Sequence, residues 1–185
     1  MSDNPTSLTD FTPLHETMIT ALKAKMGYIK TVEAYDPTTE SDGGQHSLVK
    51  TPAVLIELAE LRPGKPLGDG RQAFSCEFIF HCILSTATKN VELEIRNYAA
   101  AVARVVYKNR WGFPNAAELP DDIGAYPGVF KPGDKGFESW VVSFRQNVFL
   151  GDVDVNQEAI PTDVFYSMTP EIGAAHKDDY TKGQV

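Results

Sequence analysis

Four histidines, two cysteines and several close-set aspartates are the residues of this 185-residue chain that could carry chemistry. Nucleophilic catalysis needs a serine or cysteine in reach of a histidine that an acid orients. The histidines are scattered: His15 on a helix, His46 in a loop, His81 in a strand and His176 towards the C-terminus. His81 and Cys82 are neighbours, and neighbouring side chains of a strand point to opposite faces, so they form no dyad. His81 therefore reads as a sheet histidine, satisfied or facing solvent, with no acid partner placed by spacing. Cys76 and Cys82 lie six residues apart on one face of the same strand. At about 3.3 Å per residue their separation is roughly 20 Å, too far for a disulfide. Both read as reduced core thiols.

The acidic groups are no more convergent. Asp152, Asp154 and Asn156 imitate the opening of a calcium loop, but Gln157 stands where that loop needs glycine and Asp163 where it needs glutamate. A solvated loop is the reading, and no metal is expected. The glycines from Gly64 to Gly70 lack a Gly-Lys-Ser/Thr ending and no helix opens directly after them, so they read as a hairpin loop and not a phosphate cradle. Asp121-Asp122 and Asp178-Asp179 are adjacent pairs whose side chains diverge, as in surface turns. No catalytic, cofactor-binding or metal-ligating set is expected.

Composition agrees with one core-forming domain. The chain is 42% hydrophobic, and no stretch approaches the roughly 20 apolar residues of a membrane span. Met1 to Asp10 lack the basic start and apolar run of a secretory signal, which implies a protein made and kept in the cytoplasm. The net charge is −8 and the basic residues are spread singly, so the electrostatic drive towards nucleic acid is missing.

The elements follow from periodicity. Thr12 as N-cap and Pro13 at the first helical position open a helix with Leu14, Met18, Leu22 and Met26 at helical spacing, and Gly27 ends it. Tyr28 to Tyr35 reads as a short strand, followed by a flexible, turn-rich loop from Asp36 to Gln45. Ala53 to Leu61 and Phe74 to Thr86 are strands joined by the Gly/Pro-rich connection, with Phe74, Cys76, Phe78, Phe80, Cys82 and Leu84 on one face. A second helix is capped by Thr88 or Asn90, carries a stripe of Val91, Ile95, Tyr98, Val102 and Val105 or Val106, and ends near Asn109. Trp111 to Gly136 is turn-rich, and Ala125 to Lys131 supplies a short edge strand. In that region Trp111, Phe113 and Tyr126 are either interface aromatics or a cover for the end of the sheet. The order predicts an α+β fold, a mostly antiparallel sheet packed by two helices.

The last strand, Phe137 to Gly151, alternates Trp140, Val142, Phe144, Val148 and Leu150 with Ser139, Ser143, Arg145 and Asn147. One face is core; the other meets water or a neighbour. After it, residues 152–185 read as an extended arm without helical or strand period. That arm carries Ile160, Val164, Phe165, Tyr166, Met168, Ile172 and Tyr180, too much apolar surface for a solvated tail. It is expected to lie against something. Residues 1–151 form the domain.

Several stretches together resemble the Mu-like tail terminator, or tail-completion, family of tailed bacteriophages. They are Ala21-Leu22-Lys23-Ala24 and Thr31-Val32-Glu33-Ala34-Tyr35, the helix from Val91 to Tyr107, and Trp140-Val141-Val142 through Gln146-Asn147-Val148-Phe149-Leu150-Gly151. Val164-Phe165-Tyr166-Ser167-Met168-Thr169-Pro170-Glu171-Ile172-Gly173 is similar to that family's C-terminal segment. The resemblance covers most of the chain. It implies a structural virion protein at the head-proximal end of the tail, without cofactor. Six copies would form a ring that stops tube polymerisation, joins the neck or head connector and, in contractile tails, anchors the last sheath layer.

Such a ring needs repeated heterologous contacts, which a bare strand face and a protruding arm can supply. The expectation is that Ser143, Arg145 and Asn147, or the loop from Asp36 to Gln45, meet the lumen or the tube protein. Phe165 and Tyr166, with Tyr180 beside them in the arm, would dock on an adjacent subunit. DNA would pass without specific binding. Two alternatives stay open: a head-completion or neck adaptor, and a small α+β hydrolase built on His81 with Glu57 or Glu77.

Overall fold

The computed structural model describes residues 7–35, 49–128, 136–153, 165–166 and 174–182. Two fourteen-residue strands, β3 (Gln72–Ser85) and β5 (Phe137–Leu150), form the centre of a sheet, because each alternates apolar and polar side chains along its whole length. They pair antiparallel from Gln72 opposite Leu150 to Ser85 opposite Phe137. β2 (Ala53–Pro63) pairs antiparallel with the other edge of β3, and β1 (Thr31–Ala34) adds to β2 in parallel. β4 (Asp121–Pro127) closes the far side against β5, so the strand order is β1-β2-β3-β5-β4. With α1 (Thr12–Lys25) and α2 (Val91–Val106), this is an α+β fold on a mixed, mostly antiparallel five-stranded sheet.

The β2–β3 connection is a hairpin whose neck is closed by the Gly64 N–H donating to the Ala73 carbonyl at 3.0 Å. A Cβ on Gly64 would fall 2.8 Å from the Phe74 backbone, so only glycine lets the two strands approach there.

Boundaries differ from the sequence reading in instructive ways. At α1, Phe11 is the N-cap and the Asp10 carboxylate accepts the Thr12 N–H at 2.7 Å, so the capping oxygen comes from Asp10 and not from Thr12. Asn90 does occupy the α2 N-cap, in the left-handed region that asparagine tolerates, but without a side-chain cap. α2 stops at Val106 and not near Asn109, because Tyr107 leaves the helical region at ψ 122 and Lys108 then turns to φ 57. β4 starts at Asp121, ahead of the expected Ala125. Asp121 and Asp122 therefore belong to an edge strand and not to a turn, with an irregular register before Gly124 and φ 50 at Asp122. The loop from Asp36 to Gln45 lies outside the described residues.

Both helices cover one face of the sheet. Leu14, Met18 and Leu22 of α1 and Ile95, Tyr98, Ala99, Val102 and Val106 of α2 meet Val54, Ile56, Cys76, Phe78, Phe80, Cys82, Val142, Phe144 and Val148 in one core. Phe80 is fully buried, edge-on to Phe144 at 5.1 Å between ring centres. Full burial of one such ring stabilises by about 1.5–3 kcal/mol. Trp111 and Phe113 are buried too, so they cover the end of the sheet, while Tyr126 stays 46% exposed on β4.

The chain divides into two compact units, residues 1–154 and 155–185. In the second, β6 (Phe165–Tyr166) pairs antiparallel with β7 (Thr181–Lys182), and a 3-10 segment (Ala174–Asp179) lies between them. The described part of this segment thus folds back on itself, which corrects the expectation of an extended arm without regular structure.

Candidate functional site

Because the helices take one face of the sheet, the alternate residues of β2, β3, β4 and β5 occupy the other. Register sets them in rows: Leu55, His81, Val141 and Tyr126; Glu57, Ile79, Ser143 and Gly124; Glu60, Glu77, Arg145 and Asp121; Arg62, Ser75 and Asn147. Near the β1 end a small apolar patch of Ala53, Leu55 and Ile83, with Tyr35, Val49 and Phe137 packed on it, covers part of this face. The remainder is mixed: Val141, Ile79 and Tyr126 lie among polar residues, and the rows of Arg145 and Asn147 are polar throughout.

Ser143, Arg145 and Asn147 stand in three successive rows of this face, as the alternation of β5 predicts. Arg145 is exposed and donates from Nη2 to Glu77 Oε2 at 3.2 Å; Asn147 donates from Nδ2 to Glu118 Oε2 at 2.7 Å. Arg62 pairs with Glu60 at 2.8 Å. Such partly exposed pairs contribute only about 0.2–1 kcal/mol each, so a partner surface can exchange them at little cost. Arg145, Asn147, Ser75, Glu118 and Asp121 also line an open depression of about 510 Å³. Carboxylates outnumber guanidiniums on and beside this face, with Glu57, Glu60, Glu77, Glu118 and Asp121 against Arg62 and Arg145. A polyanion gains nothing there.

His81 does have an acid partner, which spacing alone did not place: its Nε2 lies 2.7 Å from Glu57 Oε2, and its ring stacks on Tyr35 at 4.5 Å. The two residues meet because the β2–β3 register sets Leu55 opposite His81, which leaves Glu57 one row away on the same face. Cys82, the neighbouring thiol, points into the core, where burial pushes its pKa up. Burial likewise raises the Cys76 thiol to about 12. Neither is a nucleophile at neutral pH.

The other expected site residues are more dispersed. Phe165 and Tyr166 enter β6 as backbone, and the docking expected of their side chains lies outside the described structure. Tyr180 is partly buried next to β7. The calcium-like run from Asp152 to Asp163 lies almost wholly outside the described residues. Among the described residues no His, Cys, Asp and Glu gather as a metal-ligand set, and no helix is long and apolar enough to cross a membrane.

Sequence reasoning missed two polar anchors that fix this face. Gln146, on the core side of β5, accepts from Trp111 Nε1 at 2.8 Å and donates to the Asn109 and Glu118 carbonyls at 3.0 and 2.6 Å. Its even position within an otherwise apolar set was the available signal. Arg71 is buried, gripping the Asp69 carboxylate through Nε and Nη2, donating to the Asn115 carbonyl at 2.7 Å and lying over the Phe149 ring. Together they pin the Trp111–Pro120 loop to the β3–β5 core, which positions Glu118 beside Asn147. No protein-family model matches the chain, and no curated protein matches it.

Proposed function

We propose that this chain is a ring-forming structural subunit of a tailed bacteriophage particle, a tail terminator. Copies of it, six by the family resemblance, cap the tail tube and present a surface to the neck or head connector, and to the sheath where the tail contracts. The observation that carries the reading is the polar, ion-paired part of the sheet face opposite the helices, which no helix among the described residues covers. It spans four strands, is held rigid from behind by the core, and is laced by partly exposed ion pairs; the His81–Glu57 pair on it has no thiol beside it, since Cys82 points into the core. A rigid face with exchangeable pairs suits repeated protein contact. Its acidic balance suits a passage through which DNA moves without being held. The second compact unit, rich in apolar and aromatic residues, supports a role in contact between copies.

The test is tail assembly in the absence and presence of this protein, viewed by electron microscopy. Tubes of uniform length with the protein, and tubes of uncontrolled length without it, are the expected result. Uniform tubes in both preparations would refute the terminator role.

A further inference from the structure

Away from the sheet face, α1 and α2 leave a groove of about 660 Å³ between their C-terminal ends. Its floor is small and apolar, with Ala21, Ala24, Ala101 and Val105. Tyr28 and Tyr107 flank it at 57% and 62% exposure, the highest values among large apolar side chains of the described residues. Lys25, Arg104 and Lys108 complete the wall without a single carboxylate. Lys108 lies over the Tyr107 ring at 5.2 Å, and among the described residues none of these three cations is in a salt bridge. In a chain of net charge −8 this concentration of unpaired positive charge stands out.

The complementary surface lies at the other end of α2. Its first turn exposes Glu92 and Glu94 on either side of Leu93, which is 54% exposed. Charges of these signs at helix ends complement the helix dipole, which accounts for their sign. The dipole does not account for a bare leucine between the acids, or for two bare tyrosines beside the cations. Exposed tyrosine, arginine and an apolar anchor are the composition of an interface centre. A knob at Leu93 and a socket at Arg104 on one straight helix, about 16 Å apart along its axis, cannot meet within one copy. Between copies they make a head-to-tail contact, which repeats around a ring when the rotation closes.

We infer that the groove between α1 and α2 receives the acidic first turn of α2 from a second copy of the chain, with Leu93 seated on the alanine floor and Glu92 and Glu94 facing Lys25, Arg104 and Lys108. The inference rests on the ring reading for closure; the pairwise contact rests on these residues alone.

The test uses full-length protein and light scattering at low salt. A groove variant carries Arg104→Glu and Lys108→Glu; a knob variant carries Glu92→Lys and Glu94→Lys; a third carries Leu93→Ser. All five positions are exposed, and unchanged circular dichroism and melting temperature confirm folding. Wild type assembles, alone or on tail tubes, each variant stays at monomer mass, and an equal mixture of groove and knob variants assembles again, because the reversed charges of each meet those of the other. Added salt weakens wild-type assembly. Variants that assemble as wild type does would overturn this contact and leave the ring reading standing. A wild type that is monomeric both alone and on tail tubes would overturn both.

Discussion

Gln146 holds more of the structure together than its single buried amide suggests. It satisfies the indole N–H of Trp111 and two loop carbonyls at once. Gln146→Leu keeps the size but strands the Trp111 N–H and leaves the Asn109 and Glu118 carbonyls without this donor, each a desolvation cost of about 1–3 kcal/mol. An unfolding free energy lower by about 3 kcal/mol or more, read from the shifted denaturation midpoint, with red-shifted Trp fluorescence, is the expected outcome. Cys76 and Cys82 give a second residue-scale prediction. With both thiols raised by burial, native protein at about pH 8 should resist alkylation that unfolded protein undergoes at both positions, as mass spectrometry reads directly. Their core position was legible from strand alternation. The partners of Gln146 and His81 were not, because they depend on strand register and on a loop packed from outside the strand.

At the scale of elements, order and type were legible, since long amphipathic periods survive any local detail. Ends were less so. The Asp10 carboxylate took over the role expected of Thr12, and an extended Tyr107 followed by a left-handed Lys108 ended α2 early. The parallel pairing of β1 had no local signal. α1 carries a pH prediction. Burial holds the His15 imidazole below its ordinary 6.5, partly opposed by Glu16. Between the lowered folded value and 6.5 the unfolded chain therefore binds a proton that the folded chain does not, so stability rises with pH through that window and is lost as pH falls below 6.5. His15→Gln should flatten the fall in melting temperature between about pH 7 and pH 5, measured against wild type.

At the scale of the whole molecule, the sheet face was legible from β5 alone, but the cationic groove was not. Lys25 comes from one helix, Arg104 from the other and Lys108 from the turn after it, so residues spread singly in sequence gather only after folding. The C-terminal unit belongs to this scale as well. Removing residues 155–185 keeps Gly151, whose N–H donates to the Leu8 carbonyl at 2.8 Å, and so preserves the first unit's own contacts. That truncation should melt within a few degrees of the full chain by circular dichroism yet fail to form rings. Intact rings would remove the arm from the assembly contacts. The most direct measurement of the central claim is the mass of the purified full-length protein by light scattering, alone and with polymerised tail tubes. The prediction is a discrete species of six times the 20.4 kDa chain mass, or a monomer that converts to that ring on the tube end. A monomer at every concentration that ignores the tubes would contradict it.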